Sequence, residues 1–301
     1  MNCSIILLLL IIVALIEHNS TFYFHNGLVY NGEKLNSTEY PFVMYIELHN
    51  KTSKNYTSCT GTLVKKLFVL TAGHCCFNFS ATEIQICQGS PLVRKRADYH
   101  KVVKIYIHKE FKMSNLINDI CVLKLEKGAF PNIKKFSKIG GSPKDFRNGN
   151  KLNCTLIGFG LTGNKKRNGD TGYTMTNDII HDETTCINGI ESLWHQRLCV
   201  VPFGKSKPCQ GDSGGPMICN NLQYGVCSHG YPLIGLNQDC NYNATQSVYM
   251  FINYYEKWLK EIMGSKKKKK RSSGNLLKPH HYLLHIILTV LLCNILTFIL
   301  N

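Results

Sequence analysis

Between residues 29 and 264 the chain alternates short apolar or alternating runs with polar, glycine-bearing segments. The runs fall at Phe42–Leu48, Thr62–Leu70, Val102–Ile107, Ile120–Leu125, Leu152–Gly158, Met217–Cys219 and Gly225–Cys227. Short strands at regular intervals, punctuated by turns, predict an all-β sandwich or a pair of barrels. Near the end, Ile252–Met263 (INYYEKWLKEIM) places apolar groups at helical spacing and predicts one terminal helix. No internal repeat or low-complexity linker divides 29–264.

The two ends follow different rules. Ile5–Ile16 is an unbroken apolar run of 12 residues, too short to span a bilayer and the right length for the apolar stretch of a secretory signal. Residues 1–20 therefore read as a signal peptide and 21–28 as a short propeptide. Tyr282–Leu300 is a second apolar stretch of about 19 residues, enough to span a membrane. Only Asn301 follows it, whereas a stable span would usually leave basic residues on its cytoplasmic side. Ser272, Ser273 and Gly274, a spacer, and then the apolar tail suit a GPI-attachment signal better than a span, though a span stays open. Residues 265–281 then form a basic stalk and 282–301 a hydrophobic tail.

Composition changes meaning once the ends are set aside. The 301 residues carry 35 Lys+Arg against 19 Asp+Glu, a formal charge of +16. Seven of those basic residues lie at 266–271 and 278, and one acid is Glu17, leaving +10 for 29–264. With no zinc-finger spacing and no basic recognition helix, the charge does not predict nucleic-acid binding. Fourteen cysteines suit an oxidising compartment. Asn36, Asn50, Asn55, Asn78, Asn153 and Asn243 each begin an Asn-x-Ser/Thr sequon, and sequons matter only on the secretory route.

Three local motifs carry chemistry. Leu70-Thr-Ala-Gly-His74-Cys75 puts a histidine just after a strand, Asn118-Asp119-Ile120-Cys121 puts an acid before one, and Cys209-Gln-Gly211-Asp212-Ser213-Gly-Gly-Pro216 sets a serine among glycines. A serine nucleophile needs a base to take its proton, and the base needs an acid to fix its tautomer and stabilise its cation. In the order His, Asp, Ser and with these flanks, residues 29–264 resemble the trypsin/chymotrypsin-like serine proteases.

The resemblance implies two six-stranded antiparallel β-barrels with a C-terminal helix. It implies Ser213 as nucleophile, His74 as general base and acid, Asp119 as orienting carboxylate, and the N–H groups of Gly211 and Ser213 as oxyanion hole. Ser228 matches the serine that supports the buried aspartate and opens the substrate-binding strand, and His229 stands where tryptophan is usual. Four bridges are implied: Cys59–Cys75, Cys154–Cys219, Cys186–Cys199 and Cys209–Cys240. Cys76, Cys87, Cys121 and Cys227 lie outside that set; Cys76 and Cys87 could staple a local hairpin, a second extra bridge could form, or Cys121 and Cys227 could be buried thiols near the site.

Specificity and activation depart from the pattern. Lys207 occupies the pocket-floor position, which disfavours Arg or Lys side chains of a substrate and admits acidic ones; if the lysine snorkels outward the pocket is shallow and apolar. Gly230 leaves the pocket mouth open and Ser247 narrows the opposite wall. The new N-terminus is expected at Val29, following Leu28, with its amine paired to Asp212. No cofactor or metal is implied. The expected partners are protein or peptide substrates, protease inhibitors, and a membrane reached through the tail. A chain that keeps the fold but is catalytically silent would instead be a cell-surface binding protein.

Overall fold

The computed structural model describes residues 32–50, 56–89, 99–161, 172–184, 186, 191–201, 208–232 and 245–264. Val29, Lys207, Cys240, Asn55 and Asn243, the leader and propeptide, and the stalk and tail lie outside the described residues. Among the described residues no helix is long and apolar enough to cross a membrane.

Six strands form the first barrel: β2 (Val43–His49), β3 (Tyr56–Lys65), β4 (Phe68–Thr71), β5 (Ile84–Gln88), β6 (His100–Ile107) and β7 (Cys121–Leu125), closed in the order β2-β3-β4-β7-β6-β5. Every neighbouring pair is antiparallel. Closure leaves no free edge, so the strands pair with one another all the way round the barrel. Met44, Ile46, Leu63, Val69, Ile86 and Leu123 fill its interior, each fully buried. The run Thr62–Leu70 does not form one strand. Lys66 and Leu67 turn it back on itself, so that Thr62 pairs with Leu70 across a hairpin.

The second barrel uses β8 (Leu152–Gly158), β9 (Tyr173–Ile180), β10 (Arg197–Val200), β11 (Pro216–Cys219), β12 (Leu222–Pro232) and β13 (Thr245–Phe251). The order β9-β10-β13-β12-β11-β8 is closed by a β8–β9 pairing, and the short β1 (Glu33–Lys34) adds to the outside of β9. Leu156, Leu198, Met217, Tyr249 and Phe251 pack inside. Ile252–Tyr255 makes one turn of 3-10 helix before an α-helix at Glu256–Met263, so the terminal helix starts later than its apolar spacing predicts.

A third apolar cluster joins the barrels. Leu70, Ile120 and Val122 of the first pack with Val226, Val248 and Met250 of the second and with Tyr255 and Leu259 from the C-terminal segment. Dry, close-packed interiors resist displacement, so residues at the rim of this seam are held against one another although they come from different barrels.

Disulfides join Cys59–Cys75, Cys154–Cys219 and Cys186–Cys199, and a fourth joins Cys76–Cys121. The last corrects the expected local staple between Cys76 and Cys87. Cys87 sits on β5 opposite Tyr45 inside the first barrel, whereas the β4–β7 register sets Cys121 opposite Thr71, a few residues before Cys76. Cys121 is accordingly bridged, while Cys227 is a buried thiol outside any bridge.

The Cys76–Cys121 bridge closes a separation of 45 residues, for which chain-entropy arithmetic gives about 4 kcal/mol. Replacing both cysteines with alanine is expected to lower the urea midpoint by a corresponding amount. An unchanged midpoint would mean that the seam alone holds these segments.

Candidate active site

The first barrel supplies a histidine and an acid. After β4 the chain makes a single helical turn, α1 (Gly73–Cys76), with His74 in it; just before β7, Asn118 adopts a left-handed conformation (φ 53°) and Asp119 follows. The bridge from Cys76 to Cys121 ties the two segments together. Asp119 is fully buried. One of its oxygens, Oδ1, accepts the His74 backbone N–H at 2.7 Å. The other, Oδ2, lies 2.8 Å from His74 Nδ1 and accepts the Ser228 hydroxyl at 2.6 Å.

Burial alone would push the Asp119 carboxyl up, but the charge of His74, then hydrogen bonds from its ring, from Ser228 and from the His74 backbone, outweigh it. The net direction is below the usual carboxylate value. Asp119 is therefore an ionised acceptor, which requires His74 Nδ1 to carry a proton, so that whenever the ring is neutral Nε2 is its unprotonated nitrogen.

A second layer holds Asn118 in place. Its N–H donates to Gln196 Oε1 at 2.9 Å and its side-chain amide donates to the Glu110 carbonyl at 3.1 Å. The Tyr255 hydroxyl reaches Gln196 Oε1 at 3.0 Å and Asn118 Oδ1 at 3.3 Å. Sequence reading missed Gln196 and Tyr255, since nothing local ties either to Asp119.

The second barrel supplies the serine, on the turn that precedes β11. Thr60 pins this turn to the first barrel: its N–H donates to the Ser213 carbonyl at 2.8 Å and its hydroxyl to the Gly211 carbonyl at 2.7 Å. Sγ of Cys75 lies 3.7 Å both from the Ser213 carbonyl oxygen and from His74 Nε2, so the Cys59–Cys75 bridge is flanked by serine turn and imidazole. Ser213 Oγ makes no hydrogen bond among the described residues; catalytic hydrogen bonds are often long without substrate and tighten when it binds.

Two glycines make the turn feasible. Gly211 has φ +99° and Gly214 φ +84°, and a Cβ on Gly214 would collide with the Thr71 hydroxyl and the Thr60 carbonyl. Gly214 N–H donates to the Cys227 carbonyl and Gly215 N–H to the Asp212 carbonyl, each at 2.8 Å. Among the described residues the N–H groups of Gly211 and Ser213 have no acceptor. Two such amides beside a serine can receive an oxyanion.

Asp212, also buried, accepts the N–H of Gly160 at 2.7 Å and of Cys209 at 2.6 Å. Gly230 and Ser247 face each other across β12 and β13, the glycine exposed and the serine buried. Of the sequon asparagines, Asn36, Asn50, Asn78 and Asn153 are exposed. Cys59, His74 and Cys75 bring their donor atoms together, but disulfide sulfurs are not thiolate ligands, so the donor set does not fit a metal.

Residues 29–259 match the family model for Trypsin. The chain belongs to the trypsin family. Among curated relatives, the bovine (Bos taurus) chymotrypsin-like elastase family member 1 is 27% identical over 80% of this chain and 91% of its own. The chymase of Papio hamadryas is 28% identical over 79% and 91%, and the trypsin of Saccharopolyspora erythraea 27% over 78% and 98%. Among solved structures, HL collagenase superposes with a TM-score of 0.66 at 18% identity, covering 79% of this chain and 100% of that one; at that identity the likeness concerns the fold. Both trypsin-family barrels are present, and the histidine, aspartate and serine motifs meet at their seam.

Proposed function

We propose that this trypsin-family protein is a secreted serine endopeptidase in which Ser213 is the nucleophile, His74 the general base and acid, and Asp119 the orienting carboxylate. The observation that carries the reading is the double grip of Asp119 on His74, ring and backbone, beside a serine turn with two unclaimed amides. In the reaction, Ser213 Oγ attacks the scissile carbonyl carbon while its proton passes to His74 Nε2. The oxyanion so formed is received by the N–H groups of Gly211 and Ser213. Collapse breaks the C–N bond as His74 returns the proton to the leaving amine. Water then repeats the sequence on the acyl-enzyme, releasing the acid and restoring Ser213.

A cut before Val29 activates the enzyme, and the new amine pairs with Asp212. What supports this is the burial of Asp212 and its two backbone donors, Gly160 and Cys209, which hold a carboxylate directly beside the proposed oxyanion hole. Exposed sequons and four disulfides suit a secreted protein, and the C-terminal apolar segment attaches it to a membrane, through a GPI lipid in preference to a span. A fluorophosphonate probe tests the chemistry: labelling of Ser213 in the form beginning at Val29 is expected, and no labelling of that form would refute it.

Substrate preference is non-tryptic. Lys207 stands where a carboxylate would be needed to pair with Arg or Lys, and like charge opposes such side chains while favouring Asp or Glu. A peptide-library cleavage profile is expected to lack Arg and Lys on the acyl side of the cut. Strong cleavage after either would overturn the assignment of Lys207 to the pocket floor.

A further inference from the structure

The hydrogen-bond chain that begins at His74 continues past Ser228. Ser228 and His229 are consecutive on β12, and neighbours on a strand ordinarily point to opposite faces. Here the β12–β13 register shifts between Cys227 and His229: Cys227 pairs with Tyr249, His229 with Val248, and Ser228 is the extra residue. A bulge re-aims side chains, and this one brings Ser228 Oγ to 2.9 Å from His229 Nδ1.

Proton counting assigns each role in that contact. A serine hydroxyl has one proton. That of Ser228 is donated to Asp119 Oδ2 at 2.6 Å, and the ionised carboxylate has none to offer in return. At the contact with His229 the hydroxyl can therefore only accept, so Nδ1 of His229 carries the proton.

Arg197 lies on β10, which pairs with β13, the neighbour of β12, and after burial its charge helps to hold the His229 ring down. It is almost completely buried, and its Nε and Nη2 have no hydrogen-bond partner among the described residues. We infer that His229 is a positioning residue for the proposed active site: its Nδ1–H is donated to Ser228, committing the Ser228 proton to Asp119.

Charge explains why neutrality matters. Burial first and Arg197 second push the His229 ring down to about 3; His74 adds to the fall and Asp119 opposes it. A cationic His229 would be a second positive charge competing with the His74 imidazolium for the single charge of Asp119. Kept neutral, His229 polarises the Ser228 hydroxyl without drawing on that charge. Tryptophan at this position would offer no ring nitrogen matching Nδ1.

The kinetic part of this inference rests on the protease reading; the protonation part does not, and the first test reads it without catalysis. In protein carrying 15N-labelled histidine, His229 is expected as the neutral Nδ1–H tautomer, with no titration between about pH 5 and 8. A titration near the ordinary histidine value of about 6.5, or the Nε2–H tautomer, would overturn it. In R197M the titration is expected to move up, with burial, the larger cause, still holding it below the ordinary value. Replacing a buried unpaired charge with an apolar side chain of similar length tends to be neutral or stabilising, so this variant should fold.

The second test is kinetic. H229F is expected to lower kcat by about two- to tenfold, the range of one net hydrogen bond, with KM little changed. H229N, whose amide can donate to Ser228, is expected to recover most of that loss. Equal losses in the two variants would reduce His229 to a packing role and overturn the inference. Failure of the protease reading would show separately, as absence of fluorophosphonate labelling in the wild-type protein.

Discussion

Replacing Ser213 with alanine is expected to lower kcat by about a million-fold, the loss typical when the nucleophile of a serine-histidine pair is removed. The step that disappears is covalent: without Oγ no acyl-enzyme forms, and His74 has no hydroxyl proton to accept. Residual hydrolysis about a thousandfold above the uncatalysed rate should survive, because substrate binding and the amides of Gly211 and Ser213 are backbone features that alanine preserves. Stability should hardly move, since the Ser213 side chain makes no hydrogen bond among the described residues and the Thr60 contact goes to its carbonyl. Burst-phase kinetics and the fluorophosphonate probe read the first effect, and thermal unfolding reads the second. An S213A protein that retained burst kinetics would place the nucleophile elsewhere.

Asp119→Asn is the second large effect, expected at about ten-thousandfold in kcat. Asp119 accepts three hydrogen bonds, from His74 N–H, His74 Nδ1–H and Ser228 Oγ–H. An asparagine at this buried position has one acceptor oxygen and one donor NH2. If the NH2 faces Nδ1, the imidazole is held with Nδ1 bare and its proton on Nε2, the wrong tautomer for a base.

The same substitution alters stability against pH. The Asp119 carboxyl titrates lower in the folded protein than in the unfolded chain. Its ionisation therefore stabilises the fold above the unfolded value of about 3.9, and this contribution is lost as pH falls through the folded value. In D119N that acid-side dependence should be absent, with the remaining carboxylates still titrating. A kcat within tenfold of wild type would show that Asp119 does not set the His74 tautomer.

Some elements were legible along the chain and others were not, and the difference is physical. Leu152–Gly158 was bounded correctly because each end is marked by a change from apolar to polar or glycine. Tyr173–Ile180 (YTMTNDII) escaped notice: its exposed face carries polar residues such as Thr176 and Asp178, and no run accumulates. Arg197–Val200 is only four residues long and opens with a buried arginine, the opposite of a strand signal. Thr62–Leu70 is apolar enough to read as one strand, yet Lys66 and Leu67 form the turn of a hairpin that only barrel closure makes plain.

The three proposed catalytic residues stand out in the sequence because each needs a local backbone that leaves a mark. A serine on a tight turn needs glycines at positive φ, as at Gly211 and Gly214, and the histidine and aspartate sit at strand boundaries. Their shared seam, the strand pattern of an all-β chain and most of the bridges followed from those motifs through the family they resemble. What holds them depended on register between distant strands: Cys121 opposite Thr71, which sends Cys76 to Cys121 rather than Cys87, and the shift at Cys227–His229, which brings Ser228 and His229 into contact. Gln196 and Tyr255 reach Asn118 only across the barrel interface, and Arg197 comes near His229 only through strand pairing within the second barrel. Turn chemistry acts over a few residues and is written in them, whereas cross-strand partners and the charge at a buried ring are set by neighbours far along the chain, which only closure of the two barrels brings together.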